Sequence, residues 1–396
     1  LVVQSIRFTK QTKITHLEAD MEVEEKKAGP TSHQDPQHPK GKPDRVSRLV
    51  FIRKIWAWAF LAALVIGFSI ASKKVNDIDF ISLRSVMGIL TYTSQILLIG
   101  LGETLIIIVA GIDLSAGWVL GFSSVVGATV MQTLFAKGFS PIVVVSAGML
   151  SGILVAIIPG VINGLLIARV KVPPFISTLG MGVLIEGVAL LISGGYPVVN
   201  QPPYLGMIGN SSVLYYWPDH GFSFFGYPEL AAQADIPNIL VILPTVVLVT
   251  MIVTAIVWFV LAKTQFGQHL YAIGGNMEGA IRAGIPVQRT LIKVYALAAV
   301  LSGVGGVLWS TRFSSGAYNA GETTTLNAIA AVVIGGASLY GGEGTIMGTV
   351  VGALILATIQ YGLVLLGVVP FWQFVAVGIV VIVAVIVDQF GRALGK

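Results

Sequence analysis

Three carboxylates stand within or beside strongly apolar stretches: Glu103, Asp113 and Glu186. A charge at the centre of a lone membrane helix costs about 2.5–3.5 kcal/mol, so such groups face a bundle interior or a wet path. Within Gly111-Ile112-Asp113-Leu114-Ser115-Ala116-Gly117, Asp113 is placed to cap the helix that follows. Glu103 and Glu186 either hydrogen-bond structurally or line a path. None of the three has a Lys or Arg nearby in the sequence, so they form no clear proton relay. Neutral hydrogen-bonding groups recur inside other apolar runs, at Gln95, Asn163, Thr178, Asn327 and Gln360. An amide facing lipid without a partner is costly, so these are expected to turn inward, where they either join helices or meet a neutral polar solute.

Enzyme chemistry finds little support. The five histidines are His16, His33, His38, His220 and His269, and none has metal-ligand spacing. Cysteine is absent, which removes thiol catalysis, disulfides and Cys-ligated metals. There is no GxSxG and no GxxxxGK[ST], so the chain holds no nucleotide phosphates through a P-loop.

The most informative polar stretch is 263–289, KTQFGQHLYAIGGNMEGAIRAGIPVQR. It predicts a short helix over Asn276–Ala283, with Asn276 at the N-cap, Glu278 in the first turn and a stop at Gly284 and Pro286. Such a helix between two spans suits docking of a partner.

These groups must be positioned by membrane helices. Of 396 residues, 55% are hydrophobic and 11% charged, and mean hydropathy is +0.85. A soluble chain carries about 25% charged residues. The chain is therefore read as an all-α polytopic membrane protein. Residues 1–48 are polar and expected to form a disordered cytoplasmic tail, ahead of a transmembrane domain over 49–396. Ten spans are predicted, at 55–70 and near 86–110, 117–135, 142–168, 175–194, 237–262, 290–311, 326–340, 345–367 and 371–388. Nine of the 24 Lys+Arg lie in the first 48 residues, and most others fall in alternate loops, which predicts both termini inside. The same asymmetry accounts for the net charge of +5 without nucleic acid. The longest outside segment, 196–236, offers a small docking surface with Trp217, Asp219, Glu229 and Asp235.

Glycines spaced by four, at Gly117/Gly121, Gly148/Gly152, Gly160/Gly164 and Gly344/Gly348/Gly352, predict close helix packing. A weak repeat at an offset of 225 matches Gly111, Leu114, Gly117 and Val125–Ala128 to Gly336, Leu339, Gly342 and Val350–Ala353, seven identities in 18 positions. Both copies read as an apolar helix, a Gly-rich break and a second apolar helix.

Four motifs in order carry a family resemblance. Glu278-Gly279-Ala280-x-x-x-Gly284 resembles the "EAA…G" coupling loop of bacterial ABC importer permeases. Gly111–Gly117, Val172-Pro173-Pro174-Phe175-Ile176-Ser177-Thr178-Leu179-Gly180, and Phe266-Gly267 with Tyr271–Asn276 resemble the ribose, xylose and galactose branch. The departures are the polar tail, Ala116 where Val is usual, and Gly279 where Ala is usual. The resemblance implies a vitamin-B12-importer-like (type II) permease in the bacterial inner membrane, transporting sugar rather than acting as an enzyme. It implies a second permease subunit, identical or paralogous, a binding protein outside, and a separate ABC ATPase inside that holds ATP and Mg. This chain needs no cofactor. The coupling residues it implies are Gly274, Gly275, Asn276, Glu278, Gly279, Ala280, Arg282 and Gly284. The rival reading is an ion-coupled secondary carrier of a small polar solute, using Glu103, Asp113 and Glu186.

Overall fold

The computed structural model describes residues 45–218, 220–226 and 238–393, with the side chains of 45–55, 370, 381 and 384–393 excepted. Of the expected tail over 1–48, residues 1–44 lie outside the described residues, as do Asp219, Glu229 and Asp235, while 45–48 are not disordered but open the first helix, Arg45–Asn76. The membrane unit is Leu49–Lys396.

The helices in chain order are α1 (Arg45–Asn76), α2 (Leu83–Ile108), α3 (Ala116–Ala136), α4 (Pro141–Leu165), α5 (Pro174–Ser193), α6 (Leu205–Gly209), α7 (Thr245–Lys263), α8 (Gln265–Gly275), α9 (Met277–Arg282), α10 (Val287–Phe313), α11 (Glu322–Ile334), α12 (Ile346–Leu365) and α13 (Pro370–Ala393). Among the described residues, eight helices are long and apolar enough to cross a membrane, the apolar helix Glu322–Ile334 is shorter, and α13 is apolar over Phe371–Val380. The chain is a polytopic membrane protein.

Two expectations need correction. The span at 326–340 is instead the 13-residue α11, which stops at Gly335–Gly336, where Gly336 takes φ +91°. Thirteen residues rise only about 20 Å, short of a 30 Å hydrocarbon core. The span at 237–262 begins with a strand, and its helix starts only at Thr245. Pro244 favours extended backbone in the residue before it, and the β-branched Val241 and Ile242 suit a sheet. The fold is therefore not wholly helical. Strands β1 (Ser212–Trp217), β2 (Gly221–Phe224) and β3 (Leu240–Pro244) form an antiparallel sheet in the order β2-β1-β3. Because β3 enters α7 and α8 leaves it, the sheet and α8 lie at opposite ends of that helix.

The core is built around α2 and α10. Each has 61% of its apolar window buried inside the protein, against 11% for α1. α10 packs on α2, α3 and α4, while α2 also packs on α11 and α12. The four-residue glycine spacing explains the closeness. A Cβ on Gly160 would lie 2.5 Å from Ala299 Cβ, and one on Gly164 would lie 2.7 Å from Ile292 Cα, so α4 rests directly on the α10 backbone. Gly117 and Gly121 abut the backbone at Gly321 and Tyr318, and Gly348 and Gly352 abut Gly335 and Ala331. Gly344 departs from the pattern, sitting in a loop with φ +159°.

Candidate functional site

The loop between α2 and α3 is pinned by a chain of buried hydrogen bonds. Asp113 Oδ1 accepts from Ser115 N–H at 2.7 Å and from the Ser115 hydroxyl at 2.5 Å. Asn163 of α4 donates to Ser115 Oγ at 3.1 Å, and Ser177 of α5 donates to Asn163 Oδ1 at 3.0 Å. Thr178 Oγ1 accepts from Leu114 N–H at 3.1 Å and donates to Pro174 O at 3.0 Å. All five side chains are buried. The expected capping role of Asp113 is corrected in detail: Ser115 occupies the N-cap of α3, and Asp113 holds Ser115 from outside the helix.

Glu103 lies beside this loop on α2, 1% exposed, with neither carboxyl oxygen hydrogen-bonded. It lies close to Asp113. The buried Tyr295 hydroxyl of α10 is also without a partner, and a Cβ on Gly111 would lie 2.6 Å from it. The structure thus brings together Glu103, Asn163 and Thr178 of the expected path residues. Ser115, Ser177 and Tyr295 complete the cluster and were not singled out in the sequence, because hydroxyls in apolar helices carry no spacing signal.

Asn327 and Gln360 meet elsewhere. They line one groove of about 760 Å³ between α11, α12 and α13, together with Glu322, Thr323 and Gln373. Gln95 borders a small cavity of about 20 Å³ with Trp309, Arg312 and Thr324. Glu186 stands half-buried on α5 and lines neither of these spaces. Missed by sequence reasoning were Glu322, Thr323 and Gln373 in the groove. Polar Thr323 and Asn327 share α11 with apolar Leu326 and Ile329 in no clean stripe, so no helical period marks the groove-facing positions.

The short helix expected over Asn276–Ala283 forms as Met277–Arg282. Asn276 Oδ1 accepts from Gly279 N–H at 2.8 Å and caps α9, and Gly284 ends the turn with φ +78°. Glu278 and Arg282 lie four apart and exposed, 3.8 Å from one another. Ala280 faces inward at 4% exposure, whereas Met277 and Ile281 are 45% and 58% exposed. These two apolar side chains border a cleft of about 800 Å³ that is also lined by Lys171, Pro174, Arg289 and Tyr295. The sequence did not show that α8 would precede α9 as a helix. Thr264 caps α8 by accepting from Gly267 N–H at 3.4 Å, and its Tyr271 hydroxyl donates to Gly344 O at 2.7 Å. Partial burial pushes the Tyr271 phenol above its ordinary range and keeps it a donor. Replacing Asn276 by alanine should loosen α9 by about 1 kcal/mol, seen as faster amide exchange at Gly279 with the rest of the bundle unchanged. Unchanged exchange there would mean that the cap contributes nothing.

A set of long apolar helices with buried polar groups and a capped surface helix between two of them defines a polytopic membrane protein. The chain belongs to the family described as branched-chain amino acid transport system / permease component, which it matches over residues 85–385. It is 36% identical over 327 residues to the galactose/methyl galactoside import permease protein of Escherichia coli (strain K12), covering 81% of this chain and 91% of that protein. It is 35% identical over 311 residues to the ribose import permease protein of Bacillus subtilis (strain 168), covering 78% and 86%. It is 36% identical over 313 residues to the fructose import permease protein of Rhizobium meliloti, covering 79% and 80%. No solved structure matches the chain significantly.

Proposed function

We propose that this chain is the membrane-spanning subunit of an ATP-driven, binding-protein-dependent sugar importer of the bacterial inner membrane. It works beside a second permease subunit, identical or paralogous, in a type II arrangement of ten membrane-embedded segments with both termini inside. The residues ahead of α1, 1–44, are its cytoplasmic tail. ATP and Mg belong to a separate ATPase that docks on α8 and α9, and a binding protein delivers sugar at the end that carries the sheet. The observation that carries this reading is the relationship, over nearly the whole length of the relatives, to import permeases for three different sugars.

The site geometry supports it. A sugar is neutral and needs amide and hydroxyl partners rather than charge. The groove with Asn327, Gln360 and Gln373 offers three amides beside apolar Leu326 and Phe374. Lys171, Lys263, Arg282 and Arg289 gather at the α8–α9 end, as the positive-inside rule requires of a cytoplasmic face. Glu103, Asn163, Thr178, Gln95 and Glu186 are further candidates for the path, with Asn163 and Thr178 already engaged in joining helices.

In reconstituted vesicles, Asn327→Ala or Gln360→Ala should slow uptake about two- to tenfold, the worth of one hydrogen bond of about 0.5–1.5 kcal/mol. Competition among ribose, galactose and fructose should keep its wild-type order, because selection is made by the binding protein. A switch of the preferred sugar would overturn the idea of a path with little affinity of its own.

A further inference from the structure

We propose that Gly274 and Tyr271, near the C-terminal end of α8, are positioning residues of the transport cycle: they carry movement of the docking helix α9 to both helix breaks at once. The inference rests on the importer reading above and assigns the route by which docking reaches the membrane helices.

Three backbone segments, distant in sequence, meet here without a side chain between them. Gly342 N–H donates to Ile108 O at 2.8 Å, joining the break after α11 to the end of α2. Gly274 lies against both: an added Cβ would fall on Ile108 O and 2.5 Å from Gly342 N. A Cβ on Gly341 would lie 2.9 Å from Gly274 O and 2.9 Å from Ala110 Cβ. One on Gly342 would lie 3.2 Å from Gly275 N and Cα. Only glycine permits this approach at Gly274. Backbone cannot yield by rotating a side chain, so displacement of one segment must displace the others.

The two ends of this junction connect to the parts that matter. On one side, α9 starts immediately after Gly275 and Asn276, and its cap bond of 2.8 Å fixes it to that point. On the other side, Ile108 leads into the loop that carries Asp113, and Gly335–Gly344 joins α11 to α12, the helices that hold Asn327 and Gln360. Tyr271 stands three residues before Gly274 and so on the same face of α8, and its 2.7 Å bond to Gly344 O ties that helix to the second break. The breaks use backbone that helices do not, with φ +59° at Ala110, +86° at Gly341 and +75° at Gly342. They are the two segments related by the 225-residue repeat. A single element pressing on both would move the two halves together.

The absence of cysteine allows a clean test. In Ala110→Cys/Gly341→Cys the two Cβ positions are 2.9 Å apart, which needs a small opening to reach disulfide spacing of about 3.5–4.5 Å. Tyr271→Phe, which removes only the hydroxyl, is the second variant should the cysteine pair disturb folding. ATP hydrolysis and uptake of radiolabelled ribose, galactose or fructose are read together in vesicles holding the full complex with its ATPase and binding protein. Because the two breaks move as one, the oxidised pair should hydrolyse ATP and take up sugar within twofold of its dithiothreitol-reduced form. Tyr271→Phe should transport at least threefold less sugar per ATP with an unchanged melting temperature. Wild-type sugar per ATP in Tyr271→Phe, or a loss of uptake on oxidation that dithiothreitol reverses, would overturn the proposal. So would an equal fall in hydrolysis and uptake, which marks a merely structural role. A wild-type complex without ATP-dependent uptake would instead overturn the importer reading, and this inference with it.

Discussion

Replacing Gly352 by leucine should prevent α12 from seating on α11, and little folded protein should be recovered from the membrane. A Cβ at Gly352 would overlap Ala331 O and lie 2.7 Å from Ala331 C and 3.0 Å from its Cα, all of them backbone. The neighbour cannot turn aside, so the helices must separate along a seam that also holds the Thr104–Thr349 hydroxyl contact of 2.6 Å to α2. Overpacking costs about 1–3 kcal/mol in ordinary cores, and at a backbone contact the upper end or more is expected. The measurement is the yield of monodisperse protein in detergent together with its melting temperature. Gly180→Leu is the control, since nothing lies within 4 Å of an added Cβ there. If both variants behave like the wild type, the seam is not closely packed.

Replacing Ile281 by glutamate should abolish ATPase docking while the permease stays folded. Ile281 and Met277 are large apolar side chains left exposed on a six-residue helix outside the membrane spans. The adjoining cleft of about 800 Å³ is open beside Lys171 and Arg289. A partner side chain seated there would bury apolar area worth roughly 25 cal/mol per Å², and a buried charge would reverse that gain. Uptake should drop more than tenfold, co-purification with the ATPase should be lost, and the melting temperature of the isolated permease should not change. Gly284→Val should act in the same direction, because φ +78° excludes a β-branched residue and the exit from α9 would shift. Arg282→Ala and Glu278→Ala should do less, as both ends of their 3.8 Å pair are exposed. Normal assembly of Ile281→Glu would reduce the loop to a connector.

Much of this architecture was legible because membrane helices announce themselves by long apolar runs, and caps by residue type. Asn276 and Gly284 could be assigned from chemistry alone, since few residues accept a bond at an N-cap or adopt positive φ. The helix breaks were visible as glycine clusters and as a repeat, but the shortness of α11 was not. Hydropathy averages over the loop beyond Gly335 and cannot see a chain that turns inside the protein. The strand Leu240–Pro244 was missed for a similar reason, as its apolar residues extend the α7 run and only Pro244 marks the change. Of the candidate path residues, Asn163 and Thr178 are buried, as the cost of a polar group in lipid leads one to expect, while the partition of the set among the α2–α3 loop, the groove, the Gln95 cavity and α5 was not legible. Which helices face one another depends on contacts such as Gly160 with Ala299, and a single sequence does not pair them.

Whether this chain is the sugar-conducting subunit of an ATP-driven importer is tested most directly by reconstituted uptake. The permease is placed in vesicles with its ATPase and binding protein, and radiolabelled ribose, galactose and fructose are followed with and without ATP. The expected result is uptake of a sugar that requires all the protein components and ATP, and that persists when the proton and sodium gradients are collapsed. Uptake by this chain alone, driven by an ion gradient and indifferent to ATP, would contradict it.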